Sequence, residues 1–81
     1  MTITFRKSAK KQLERLNNPV QGQICNAIYN LPKGNVIKLE GDTADYRLRI
    51  GKYRVIFAYE TVDIILIKRV EPRGQVYKGG H

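Results

Sequence analysis

The stretch Tyr46-Arg47-Leu48-Arg49-Ile50-Gly51-Lys52-Tyr53-Arg54-Val55-Ile56-Phe57 decides how this chain folds. From Tyr46 to Ile50 the alternation is strict: Tyr46, Leu48 and Ile50 fall on one face, Arg47 and Arg49 on the other. A period of two is the signature of a half-buried strand. Gly51-Lys52 interrupts it, and alternation resumes from Tyr53 to Glu60. Tyr53, Val55, Phe57 and Tyr59 share one face, and Arg54, Ile56 and Ala58 the other. Two such runs joined by a glycine-containing pair predict a β-hairpin. One face of it is apolar. The other gathers Arg47, Arg49 and Arg54, with no acid between Tyr46 and Arg54. Guanidiniums so close repel one another, and are tolerable when solvated or when an anion arrives.

Working outward, Asp63 to Val70 is β-branched and apolar on both faces, which predicts a central strand. Glu71-Pro72-Arg73-Gly74 then turns the chain, and Gln75 to Tyr77 reads as a last short extended piece. Upstream, Val36-Ile37-Lys38-Leu39 is a short extended piece before a polar turn from Glu40 to Asp45. Ala9, Leu13 and Leu16 have helical spacing, with Ser8 placed to cap the N-terminus. Asn17-Asn18-Pro19 breaks that helix. Asn18 is placed to cap a second one, with Pro19 at its first position and Val20, Ile24, Ala27, Ile28 and Leu31 along its apolar face. Thr2 to Phe5 reads as a first strand. The expected class is α+β, in the order β-α-α-β-β-β, with a two-helix hairpin on one face of a small, mostly antiparallel sheet. The opposite face has little to cover it.

Composition bounds the function. The chain has 81 residues and a formal charge of +8. That length implies one small domain spanning residues 1–81. An apolar fraction of 42% is enough for a core rather than a disordered basic tail. One Cys and one His exclude an intrachain disulfide and argue against a structural zinc, so no metal and no cofactor is expected. The longest apolar run, Ile64 to Ile67, is far short of a membrane span, and no apolar segment follows Met1, so a cytoplasmic protein is expected. The charge points to a polyanionic partner: a nucleic acid, an acidic protein, or both.

The familiar catalytic sets are missing. His81 is the sole histidine and lies at the terminus, and Cys25 sits among apolar helix residues as a small core side chain. No glycine-rich phosphate loop is present, and the acids are scattered. Catalysis, if any, falls to Arg, Lys and Tyr. Besides the hairpin arginines and Lys52, a second cluster comprises Lys68, Arg69, Arg73, Tyr77 and Lys78, with Tyr77 suited to stacking on a base. Glu71 is near enough in sequence to pair with one of these arginines.

The hairpin stretch, followed by Lys68-Arg69-Val70-Glu71-Pro72-Arg73-Gly74-Gln75-Val76-Tyr77, resembles the RelE/ParE toxin superfamily, and the likeness covers nearly the whole chain. The β-α-α order, the Leu-x-Gly piece at Leu39 to Gly41 and the final Val-Tyr-Lys fall where that family has them. RelE-like members are toxins of toxin–antitoxin pairs that enter the ribosomal A site and cut mRNA there by attack of a 2′-hydroxyl on the neighbouring phosphate. The resemblance implies that Arg54, Arg49, Arg73 and Tyr77 are catalytic and that Arg47, Lys52, Arg69 and Lys78 bind RNA. It implies the ribosome, mRNA and an acidic antitoxin as partners, in a toxin–antitoxin hetero-oligomer with no membrane contact. Two alternatives stand beside it: a ParE-like gyrase poison of the same fold, and a non-catalytic RNA- or ribosome-binding module.

Overall fold

A computed structural model describes residues 1–73. Its elements are β1 (Thr2–Phe5), α1 (Lys7–Glu14), α2 (Val20–Tyr29), β2 (Asn35–Lys38), β3 (Tyr46–Ile50), β4 (Tyr53–Thr61) and β5 (Ile64–Pro72). The α+β class holds. The extended piece at Val36 pairs as a full edge strand, so four strands follow the helices. The sheet order is β1-β5-β4-β3-β2, with β1 parallel to β5 and all other pairs antiparallel. As its two-faced apolarity requires, β5 is interior, flanked by β1 and β4.

The helices cover one face, α1 over β5 and α2 over β3. Leu48, Val55, Phe57, Ile65, Ile67 and Val70 from the sheet meet Ala9, Leu13, Ile24, Ile28 and Leu31 from the helices and the turn after them. Each large side chain fully buried there contributes about 1.5–3 kcal/mol. Phe57 is completely buried and stacks on Tyr46 with ring centroids 5.5 Å apart. No described helix is long and apolar enough to cross a membrane.

Both helix starts differ from the sequence expectation. Ser8 does not cap α1, because Arg6 N still donates to Ile67 O (2.9 Å): β1 pairs with β5 up to the residue before the helix, and the first turn begins at Lys7. Asn18 does not cap α2. The chain already winds from Asn17, whose carbonyl accepts from Gln21 N (3.0 Å), and Pro19 takes the cap position.

One irregularity positions the site. Phe57 pairs with Ile67 while Ile56 pairs with Arg69, so Lys68 is an extra residue, a β-bulge in β5. The bulge keeps both Ile67 and Val70 in the core and turns Arg69 to the open face. Gln12 of α1 secures it by accepting from Val70 N (2.9 Å).

Candidate nucleic-acid interface

The open face of the sheet is organised as two rows running across the strands. The first is Asn35, Arg49, Arg54 and Glu71, one residue from each of β2, β3, β4 and β5. The second, two residues along, is Ile37, Arg47, Ile56 and Arg69. Arg47, Arg49, Arg54 and Arg69 are therefore brought to one surface, the first three as the alternation predicts and Arg69 through the bulge. Directly opposed like charges such as Arg49 and Arg54 are destabilising in a sheet. Ile56 lies between Arg47 and Arg69 and is only 1% exposed although no described helix covers it. Its cross-strand partners Arg47 and Arg69 have long apolar stems of the kind that can cover such a residue.

The hairpin supplies no acid of its own, but β5 brings one to its arginines. Glu71 stands directly across from Arg54, and its Oε2 accepts from Arg54 Nη2 (2.9 Å) and Nε (3.2 Å). Its Oε1 accepts from Arg69 Nε (3.0 Å). Burial pushes the Glu71 carboxyl up, but the hydrogen bonds from Arg54 and Arg69 outweigh it and hold the group below its ordinary value. It is a carboxylate at neutral pH.

Arg47 is the least satisfied member. Its Nε is buried and has no hydrogen-bond partner among the described residues. Burial, then the charges of Arg49, Arg73 and Arg54, push its guanidinium below the ordinary value. It remains a cation, since Arg is not deprotonated in proteins. Leaving a buried donor unpaired costs about 1–3 kcal/mol, more when it is charged.

Arg73 is drawn in from beyond β5. Its backbone N donates to Lys52 O (2.7 Å) and its Nη1 to Gly51 O (2.8 Å), so it closes on the β3–β4 turn. Gly51 has a φ of +54°, a conformation side-chain-bearing residues rarely adopt, and Lys52 is exposed beside it. Lys68 is not a free cation. Its Nζ donates to Asp45 Oδ1 (2.6 Å), and this hydrogen bond, opposed by burial, holds the Asp45 carboxyl below its ordinary value. Tyr77, Lys78, the piece Gln75 to Tyr77 and His81 lie outside the described residues.

Five arginines from β3, β4, β5 and the residue after β5, with one internal carboxylate, make a surface that can grip phosphates at several points and stabilise charge developing on one of them. Sequence reasoning offered Glu71 as a partner for one of the second-cluster arginines, which its bond from Arg69 bears out, but missed its pairing with Arg54 and Asp45 as the partner of Lys68. The signal for Glu71 was available in the register. Arg54 and Glu71 each lie seven residues from the turn pair Thr61 and Ile64, because the bulge in β5 is matched by a second shift between Tyr59 and Thr61.

A chain of the archaeal RelE–RelB complex of Pyrococcus horikoshii is 32% identical to this one, aligned over 91% of this chain and 96% of its own, with a TM-score of 0.72. The chain belongs to the RelE/ParE toxin superfamily. A chain of the RelB–RelE antitoxin–toxin complex of Methanococcus jannaschii is 26% identical over 94% of this chain and 96% of its own, with a TM-score of 0.74. The Escherichia coli RelBE toxin–antitoxin complex provides a further match, 19% identical over 91% and 98% with a TM-score of 0.71, a likeness of fold alone. No family model and no curated protein matches the chain.

Proposed function

We propose that this protein is the toxin of a toxin–antitoxin pair and a ribosome-dependent mRNA endonuclease. In the reaction the mRNA 2′-oxygen bonds to the adjacent phosphorus and the bond from phosphorus to the 5′-oxygen breaks. The 2′-proton is lost and a proton reaches the leaving 5′-oxygen, giving a 2′,3′-cyclic phosphate and a 5′-hydroxyl. The nucleophile belongs to the RNA, so the protein supplies positioning and charge. Arg54 and Arg49, side by side across β3 and β4, bind the phosphorane more tightly than the ground state, an effect of about 10²–10³ in rate per preorganised donor. Arg47 and Arg69 hold flanking phosphates, Arg73 approaches from the turn, and Lys52 and Lys78 add charge at the margins. Tyr77 stacks on a base beside the cut.

A general base is scarce. Lys68 is tied up with Asp45, and both oxygens of Glu71 are occupied. Tyr77 or ribosomal RNA takes the proton, in keeping with an enzyme that is poor alone and relies on the ribosome to shape its substrate. An acidic antitoxin segment is the natural partner for so basic a surface, folding onto it and covering the arginines.

The observation that carries the reading is Arg47: a cation whose Nε is buried with no hydrogen-bond partner among the described residues, beside three other arginines, costs the free protein stability that a bound phosphate returns. In-vitro translation followed by toeprinting tests it. Wild type should introduce a break in the A-site codon, and Arg54→Ala should not. An intact message, whether translation stalls or proceeds, contradicts the reading.

A further inference from the structure

Glu71 is the one acid in the two arginine rows, and its geometry is that of a clamp. Its two oxygens engage three of the ten N–H donors that Arg54 and Arg69 carry between them, five on each. Arg54 spends its Nε and one Nη2 proton on Oε2, and Arg69 spends its Nε on Oε1. What remains of each guanidinium is the outer edge, now fixed in direction. The Glu71 side chain is 26% exposed, so the clamp is partly withdrawn from water, where such hydrogen bonds hold best. Arg54 without it would face Arg49 across the strands as an unscreened like charge.

We infer that Glu71 is a positioning residue, which holds Arg54 and Arg69 in the orientation that grips a reacting phosphate while weakening the ground-state hold of the face on RNA. Both effects come from one carboxylate. It orders two guanidiniums, and its charge opposes any polyanion that lies across them. Weaker ground-state binding together with a better ordered transition state raises turnover at saturating substrate. The effect on rate rests on the mRNA-cutting reading; the effect on RNA binding does not.

The test compares wild type, Glu71→Gln and Glu71→Asp in two assays: binding of a short single-stranded RNA across a salt series, and single-turnover cleavage on programmed ribosomes. Glu71→Gln removes the charge and one strong acceptor. Its RNA affinity should rise about threefold at low salt, as expected for one unit charge removed beside a phosphate. The salt slope should steepen by about 0.7 for each phosphate newly engaged. Its cleavage rate at saturation should fall about 10- to 100-fold, the scale of a misplaced catalytic group. Glu71→Asp keeps the charge but is too short to reach both arginines. It should bind like wild type and cleave slowly, and it carries the test if Glu71→Gln does not fold. Unchanged affinity in Glu71→Gln, or full cleavage by Glu71→Asp, overturns the inference. If wild type itself cuts no message, the cleavage reading fails, and the binding series decides Glu71 alone: tighter binding by Glu71→Gln upholds its charge role and equal binding ends it.

Discussion

Arg47 and its buried Nε set stability against function at a single side chain. Replacing it with Met keeps an apolar stem beside Ile56 and removes the unpaired charge. Arg47→Met should therefore raise the thermal midpoint, by about 4–8 °C per kcal/mol regained in a domain of this size, while RNA binding weakens and its salt dependence flattens by about 0.7 in slope. A lower midpoint would mean that Arg47 is structurally satisfied. Asp45 offers a pH counterpart. Its folded value lies below its unfolded one because Lys68 holds the charged form, so its contribution is fully present above the ordinary carboxylate range and is lost as pH falls through the folded value. Thermal melts of wild type and Asp45→Asn should differ most near neutrality, and the gap should close below about pH 4. A gap that stays constant into acid would detach Asp45 from the stability of the fold.

At the scale of elements, the β3–β4 hairpin controls the site. Gly51 takes a φ of +54° with open space around a would-be Cβ, so a side chain there meets backbone strain rather than a clash. Gly51→Ala should cost about 1–2 kcal/mol, and Gly51→Asn less, since Asn tolerates this region better. Chemical denaturation of the three proteins checks the order, and an alanine variant as stable as wild type would contradict it. The hairpin was legible in the sequence because strict alternation places Arg47, Arg49 and Arg54 on one face whatever the packing. The helix caps were not, because strand pairing through Arg6 and the early winding at Asn17 decide where the helices begin, and neither leaves a mark on the local pattern. The pairing of Glu71 with Arg54 escaped for a related reason. Its partner is set by the register of β4 on β5, which passes through two irregularities that offset one another. Arg69 reaches the open face only through the bulge at Lys68, which no alternation rule predicts.

For the whole molecule, a charge of +8 on 81 residues is divided between the open face of the sheet, with Arg47, Arg49, Arg54 and Arg69, and α1 with its flanks, with Arg6, Lys7, Lys10, Lys11 and Arg15, and the core rests on one layer of contacts between the helices and the sheet. Such a small domain has little stability in reserve. Phe57→Ala, at the centre of that layer, should cost about 3–5 kcal/mol and leave much of the protein unfolded. An acidic antitoxin peptide should raise the midpoint by mass action, equivalent to about 2.7 kcal/mol at a hundred times its dissociation constant. The decisive measurement concerns the nucleophile. Ribosomes programmed with mRNA carrying a single 2′-deoxy nucleotide at the cut position are compared with the all-ribose message. The all-ribose message should be cut to a 2′,3′-cyclic phosphate end and the deoxy message should stay whole. Cleavage of both, or of neither, would contradict the proposed transesterification on the arginine face.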